Sequence, residues 1–209
     1  MSDIKVGCLT IGLLDNNTYF LHRDGEFDCI IIDPARDGDM FVTRLREKGL
    51  QIKGVLLTHA HFDHIIGVDG IEMLVKAPVY GGKKDAPLYA DPELNQSFKI
   101  NKEIRIKLDH EVEEGDVIEI GSMKCKVLET PGHTAGSVCY YFEEEKLLFS
   151  GDTLFRETYG RTDFETGSEE DMRKSVKRLL ELPEDVKVYP GHNDFTTIEH
   201  ERKYNPLAY

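Results

Sequence analysis

This sequence predicts an α/β fold of two mixed β-sheets with helices packed outside them. Short runs rich in Val, Ile, Tyr and Phe recur along the chain, bounded by turn-forming residues. The first runs follow one another through tight turns, as hairpins do. Later ones are separated by stretches of helical spacing, as in β-α-β units. A chain of 209 residues, 40% hydrophobic and 31% charged, can bury a substantial core. It reads as one domain over residues 1–209.

Three strands open the chain: IKVGCLTIG (4–12), TYFLHR (18–23) and FDCIIIDP (27–34), with RDGE turning between the last two. A helix over 38–48 follows, with Phe41, Val42 and Leu45 on one face and Gly49 as its stop. The strand GVLLT ends at residue 58. Val68, Ile71, Leu74 and Val75 then recur at helical spacing until Pro78. Residues 81–103 read as loop plus a short helix. Beyond them come four short strands, DVIEI (116–120), KCKVLET (124–130), SVCYYF (137–142) and KLLFS (146–150). Ser168, with Asp171 three residues later, forms a capping pattern for a helix carrying Met172, Val176, Leu179 and Leu180 and stopping by Pro183. A last strand, VKVYP, leads to GHND.

The formal net charge of −13 sets the chain against polyphosphate partners, and no nucleic acid is expected to bind. No run approaches the ~20 apolar residues of a membrane helix. The N-terminus lacks a basic segment followed by an apolar one, so a cytoplasmic protein with no membrane partner is expected. Cys8, Cys29, Cys125 and Cys139 form no C-x-x-C pair, and the last three lie in apolar runs. Buried reduced thiols are expected there.

The chemistry concentrates in THAHFDH (58–64), which holds three of the eight histidines and an aspartate. Three imidazoles in a row add no useful apolar burial, so a solvated loop or a purely hydrogen-bonded set is the weaker reading. Neutral imidazoles and carboxylates are what a divalent metal ion takes as ligands. Three further segments share one design, an apolar strand ending at a glycine and then a potential ligand: KVLETPGH with His133, LLFSGD with Asp152 and VKVYPGH with His192. Strand ends place side chains rigidly, and glycines let backbone pass close to a crowded site. Seven candidate ligands exceed one tetrahedral ion and divide into two sets sharing a carboxylate. His22, His110 and His200 lack such contexts. No G-x-S-x-G elbow, P-loop or G-x-G-x-x-G is present.

THAHFDH, TPGHTAGSV, FSGDTLF, GRTDF and YPGHN, in that order, resemble the metallo-β-lactamase-fold hydrolases, close to the glyoxalase II branch. The resemblance implies a four-layer αβ/βα sandwich with the site at one edge. It implies His59, His61 and His133 as ligands of a first metal, Asp63, His64 and His192 as ligands of a second, and Asp152 bridging both. Two divalent ions are therefore expected, zinc first, with iron or manganese as alternatives. A hydroxide held between them would attack an acyl carbon, with Asp63 and Asp152 as the carboxylates nearest the chemistry. Asp33 matches a family aspartate near the site, read either as an acceptor orienting a ligand imidazole or as a strand-end turn residue.

Arg161 falls where glyoxalase II carries a basic residue toward glutathione; the other reading is that Arg161 and Asp163 pair and shape the loop. The sequence runs seventeen residues beyond His192, so the C-terminal helical domain of longer glyoxalase II enzymes is not expected. It thus resembles the short bacterial glyoxalase II-like hydrolases. The expected function is a thioesterase cleaving S-lactoylglutathione or a related small acyl-thiol. A mononuclear-iron persulfide dioxygenase and a lactonase of the same fold are the competing readings.

Overall fold

The computed structural model describes residues 3–209. The first half of the chain forms one six-stranded sheet, in the order β1 (Ile4–Ile11), β2 (Asn16–Arg23), β3 (Asp28–Ile32), β4 (Gln51–Leu57), β5 (Val79–Gly82) and β6 (His110–Val112). The hairpins β1–β2 and β2–β3 are antiparallel, and β3 to β6 run parallel. The helix α1 (Gly38–Glu47) makes the right-length crossover between β3 and β4. The short helices α2 (Phe62–Ile65), α3 (Val68–Glu72) and α4 (Ala86–Ala90) flank the connections around β5.

The second half forms another six-stranded sheet from β7 (Val117–Ile120), β8 (Met123–Glu129), β9 (Val138–Phe142), β10 (Leu147–Gly151), β13 (Lys187–Pro190) and β14 (Thr196–Thr197). Three antiparallel pairings run from β7 to β10, and β10 then pairs in parallel with β13 across the helix α5 (Glu169–Leu179). A small hairpin, β11 (Leu154–Phe155) and β12 (Thr158–Tyr159), precedes α5, and α6 (Ile198–Tyr204) follows β14.

Side chains alternate across a strand, so each sheet has two faces to cover. Ile30 and Ile32 of β3 point inward, with Leu21 and Leu56, onto Tyr140, Phe142 and Phe149 of the second sheet. Cys29 and Ile31 point outward, with Val55 and Leu57, onto Phe41, Val42 and Leu45 of α1. Outside the second sheet, Cys139, Leu148 and Val188 pack on Met172, Val176 and Leu179 of α5 and on Ile198 of α6. Helix, sheet, sheet and helix make four layers, as the sequence predicts.

The strand assignments hold to within a few residues, and Ser168 caps α5 by accepting from the Asp171 amide. Cys29, Cys125 and Cys139 are buried free thiols. One difference is that α3 ends at Glu72, leaving Met73 and Leu74 exposed, because the chain must turn back there to lay β5 beside β4. β5, β6 and α6 have no counterpart in the sequence reading. No helix among the described residues is long and apolar enough to cross a membrane.

Candidate metal centre

Five strands deliver side chains to one edge of the sandwich, each from its carboxyl end. Asp33 follows β3, His59 follows β4, His133 lies beyond β8, Asp152 follows β10 and His192 follows β13. His61 precedes the single turn α2, which carries Asp63 and His64. The edge is closed by bonds between the two sheets. The Asn17 amide donates to Gly191 O (2.8 Å), Val138 N to Thr58 O (2.8 Å), and the Tyr19 and Tyr140 hydroxyls to Pro190 O and Leu57 O.

All seven residues singled out as ligands converge there. His59, His61, Asp63, His64 and His133 are buried, while Asp152 and His192 are partly open to the mouth. Their ligating atoms fall into trios able to hold an ion: His59, His61 and His133; Asp63, His64 and His192; and His59, His64 and Asp152. His59 Nε2, His64 Nε2 and Asp152 Oδ1 are buried without a hydrogen-bond partner. Orphaned buried polar atoms are costly unless something else satisfies them.

The spacings suit a cation. Two ligand atoms at ~2.1 Å from one tetrahedral ion stand about 3.4 Å apart. His64 Nε2 lies 3.6 Å from Asp63 Oδ2 and 3.4 Å from Asp152 Oδ1. His192 Nε2 lies 3.5 Å from Asp63 Oδ2 and 3.6 Å from Asp152 Oδ2, and His133 Nε2 lies 3.5 Å from that same oxygen. These distances are long for hydrogen bonds. His61 Nδ1 and His133 Nε2 are closer, at 2.8 Å. Asp152 faces both sets, Oδ1 toward His64 and Oδ2 toward His133 and His192.

Four imidazoles are oriented from behind. His133 Nδ1–H donates to Arg161 O (2.8 Å), His192 Nδ1–H to Leu14 O (3.0 Å) and His64 Nδ1–H to Asp33 Oδ2 (2.9 Å). Thr58 Oγ1 donates its proton to Asp33 Oδ2 (2.6 Å), so it must accept from His59 Nδ1–H at 3.1 Å. In each ring Nε2 is thereby left to face the cluster. Asp33 thus accepts from His64 and from Thr58 Oγ1, and it also accepts from the Thr58 amide.

Electrostatics divide the cluster in two. Burial, reinforced by neighbouring imidazoles, holds His59 well below the ordinary histidine value and His61 down at about 3; burial also lowers His133. For His64 burial is again the largest single effect, but Asp152, Asp63 and Asp33 together outweigh it and lift the ring to about 10. His192 is raised as well, burial being outweighed by the nearby Asp63 carboxylate and the charge of Asp152. Burial raises Asp63, yet His64, His192 and Asn16 outweigh it and hold the carboxyl below the usual range.

Gly191 shows why glycine precedes His192: a Cβ there would lie 2.3 Å from Asp152 Oδ1 and 2.6 Å from His64 Cε1. Asn16 was not among the sequence candidates, although its buried Nδ2 donates to Asp63 Oδ2 (2.9 Å). Its only sequence signal is the polar pair before TYF. The mouth is a cavity of about 510 Å³ bordered by Leu14, Phe155, Phe164, Lys99 and Arg161. Arg161 is bound bidentately by Asp163 (2.9 and 2.7 Å), with its guanidinium carbon 4.8 Å from the centre of the Phe164 ring.

The family model of the metallo-β-lactamase superfamily matches residues 11–192, and the chain belongs to that superfamily. A probable metallo-hydrolase of Bacillus subtilis, YqgX, is 38% identical over 95% of both chains. The hydroxyacylglutathione hydrolase GloC of Haemophilus influenzae is 33% identical over 88% of this chain and 89% of its own. Among solved structures, the BLEG-1 B3 metallo-β-lactamase superposes with a TM-score of 0.91 at 36% identity, covering 97% of this chain and 99% of that one. TTHA1623 in a di-iron-bound form gives 0.86 at 33%, covering 97% and 100%. ETHE1 from Myxococcus xanthus gives 0.81 at 27%, covering 97% and 83%. The protein is a metallo-hydrolase whose His/Asp cluster is built for divalent metal ions.

Proposed function

We propose that this protein is a binuclear thioesterase of the glyoxalase II type, hydrolysing S-lactoylglutathione or a related acyl-thiol in the cytoplasm. The observation that carries the reading is the completeness of the second set. Asp63, His64 and His192 are braced by Asn16, Asp33 and Leu14 O respectively, whereas in the three-histidine set His59 and His133 are braced by Thr58 and Arg161 O. A mononuclear dioxygenase would leave that bracing without purpose. In this reading His59, His61 and His133 hold one ion, Asp63, His64 and His192 the other, and Asp152 both. Zinc is the first choice; the di-iron form of TTHA1623 keeps iron open.

Two such ions, when bound, supply a water of lowered pKa and a Lewis acid for the carbonyl oxygen. The chain supplies position. Asp63, fixed by Asn16 and kept ionised, is the group available to accept a hydrogen bond from the attacking water and aim it. No protein nucleophile competes, since burial pushes the Cys139 thiol up to about 12. A thiolate leaves without a strong general acid. Leu14, Phe155 and Phe164 exclude water around the acyl group, and Lys99 and Arg161 give the mouth positive charge for an anionic thiol. Asp163 already neutralises much of Arg161, so that residue contributes modestly to binding.

The test is metal analysis of the native protein alongside a panel of S-lactoylglutathione, simpler thioesters, lactones, a β-lactam and glutathione persulfide, run with and without oxygen. Two ions per chain and oxygen-independent thioester hydrolysis are expected. One iron per chain with oxygen consumption on persulfide would overturn the reading.

A further inference from the structure

One buried carboxylate outside the seven has a place the metal reading does not account for. Asp85 ends the 3₁₀ turn Lys83–Asp85 after β5 and is inaccessible to solvent. Among the described residues no cation pairs with it. Its carboxylate instead accepts three hydrogen bonds from two different loops. Oδ2 accepts from the Ala60 amide (3.1 Å) and from Thr134 Oγ1 (2.7 Å), and Oδ1 accepts from the Gly136 amide (2.7 Å). Ala60 lies between His59 and His61, and Thr134 follows His133. The three donors therefore belong to the two segments that present the three-histidine set.

Those segments come from opposite halves of the sandwich, His59 and His61 after β4 of the first sheet and His133 after β8 of the second. Their relative position is a tertiary matter that neither strand fixes alone. The approach of Asp85 to the second segment is built in: a Cβ on Gly136 would stand 2.2 Å from Asp85 N and 2.7 Å from Oδ1. The donor side is braced too. Thr134 Oγ1 gives its proton to Asp85, so it accepts from Ser137 Oγ at 2.8 Å, and that same Oγ accepts from the Thr134 amide at 3.1 Å. Buried, fully satisfied carboxylate networks are rigid, since breaking one bond strands the others.

We infer that Asp85 is a positioning residue that clamps the His59–His61 and His133 segments together and so sets the affinity of the three-histidine ion. This rests on the two-ion reading above. Asp63, His64 and His192 are outside the clamp, so the effect is selective for one ion.

The experiment measures the affinity of each ion by competition with a chromophoric chelator, using Zn²⁺. Asp85→Asn keeps the shape but turns an N–H toward one of the donors. Thr134→Val deletes one arm, and Thr134→Ser restores it. Each is made alone and in a His192→Ala background, where the three-histidine site is read by itself. Expected are about 10- to 100-fold weaker binding at that site for Asp85→Asn, a smaller loss for Thr134→Val, and recovery in Thr134→Ser. The absorption spectrum of the Co²⁺-loaded His192→Ala protein should shift with Asp85→Asn, a change that general loosening of the fold does not produce. Three-histidine affinity within twofold of the parent, or equal losses at both sites, would overturn the inference. Failure of the unmutated protein to bind two ions would instead refute the two-ion reading.

Discussion

His64 donates its Nδ1–H to Asp33 Oδ2 across 2.9 Å, with both side chains buried. The bond ties the end of β3 to the turn α2 and aims Nε2 between Asp63 and Asp152. Asp33 sits at a positive φ of 49°, a conformation Asp tolerates better than most residues, and its two oxygens are divided among His64 and both Thr58 donors.

Asp33→Ala should therefore weaken metal binding or activity by about 10- to 100-fold, because His64 and His59 both lose their bracing, directly and through Thr58. Chelator competition reads the affinity. Wild-type affinity in this variant would show that the ring needs no such support.

Protonation gives a second prediction. In the metal-free protein His64 is raised from 6.5 to about 10, so its stabilising contribution is fully present below pH ~6.5 and lost as pH rises through about 10. Metal ions require the neutral ring, whereas His59, His61 and His133 are already neutral. Loading both ions at pH 8 should release at least one proton, that of His64, with any from His192 and from a metal-bound water adding to it. Calorimetry in buffers of differing ionisation enthalpy measures it, and zero release would contradict the assignment.

Gly191→Ala should leave the hydrophobic layers intact but push a methyl into Asp152 and His64. The expected result is a cooperatively folded protein that loses at least one ion and most of its activity. Full metal content by elemental analysis would count against the crowding argument.

Asp152→Ala and His192→Ala separate the shared carboxylate from a ligand of one set. His192→Ala should retain one ion per chain, whereas Asp152→Ala should weaken both and cut kcat far more than it lowers Tm. Thioester turnover at the wild-type rate in the Asp152 variant would refute its role.

The sequence by itself determined the identity and order of the seven candidate ligands and the hydrophobic strands that deliver them. It could do so because all seven fall within a few residues of the end of an apolar run, a pattern written in neighbouring residues. It also left open whether Arg161 pairs with Asp163, and the structure has that pair formed. What only the tertiary structure decided is how the two halves meet. β5 and β6, VYGG and HEV, are too short and too poor in alternation to be read as strands, and they gain their ladders only where β5 lies beside β4 and β6 beside β5. Asn16 and Asp85 look like ordinary turn residues in sequence; their partners lie 47 and 25 to 51 positions away. Which ring nitrogen faces the cluster is likewise set by distant oxygens of Asp33, Leu14 and Arg161. Local periodicity reports burial along one element, but hydrogen bonds between loops of different sheets exist only once both sheets have packed.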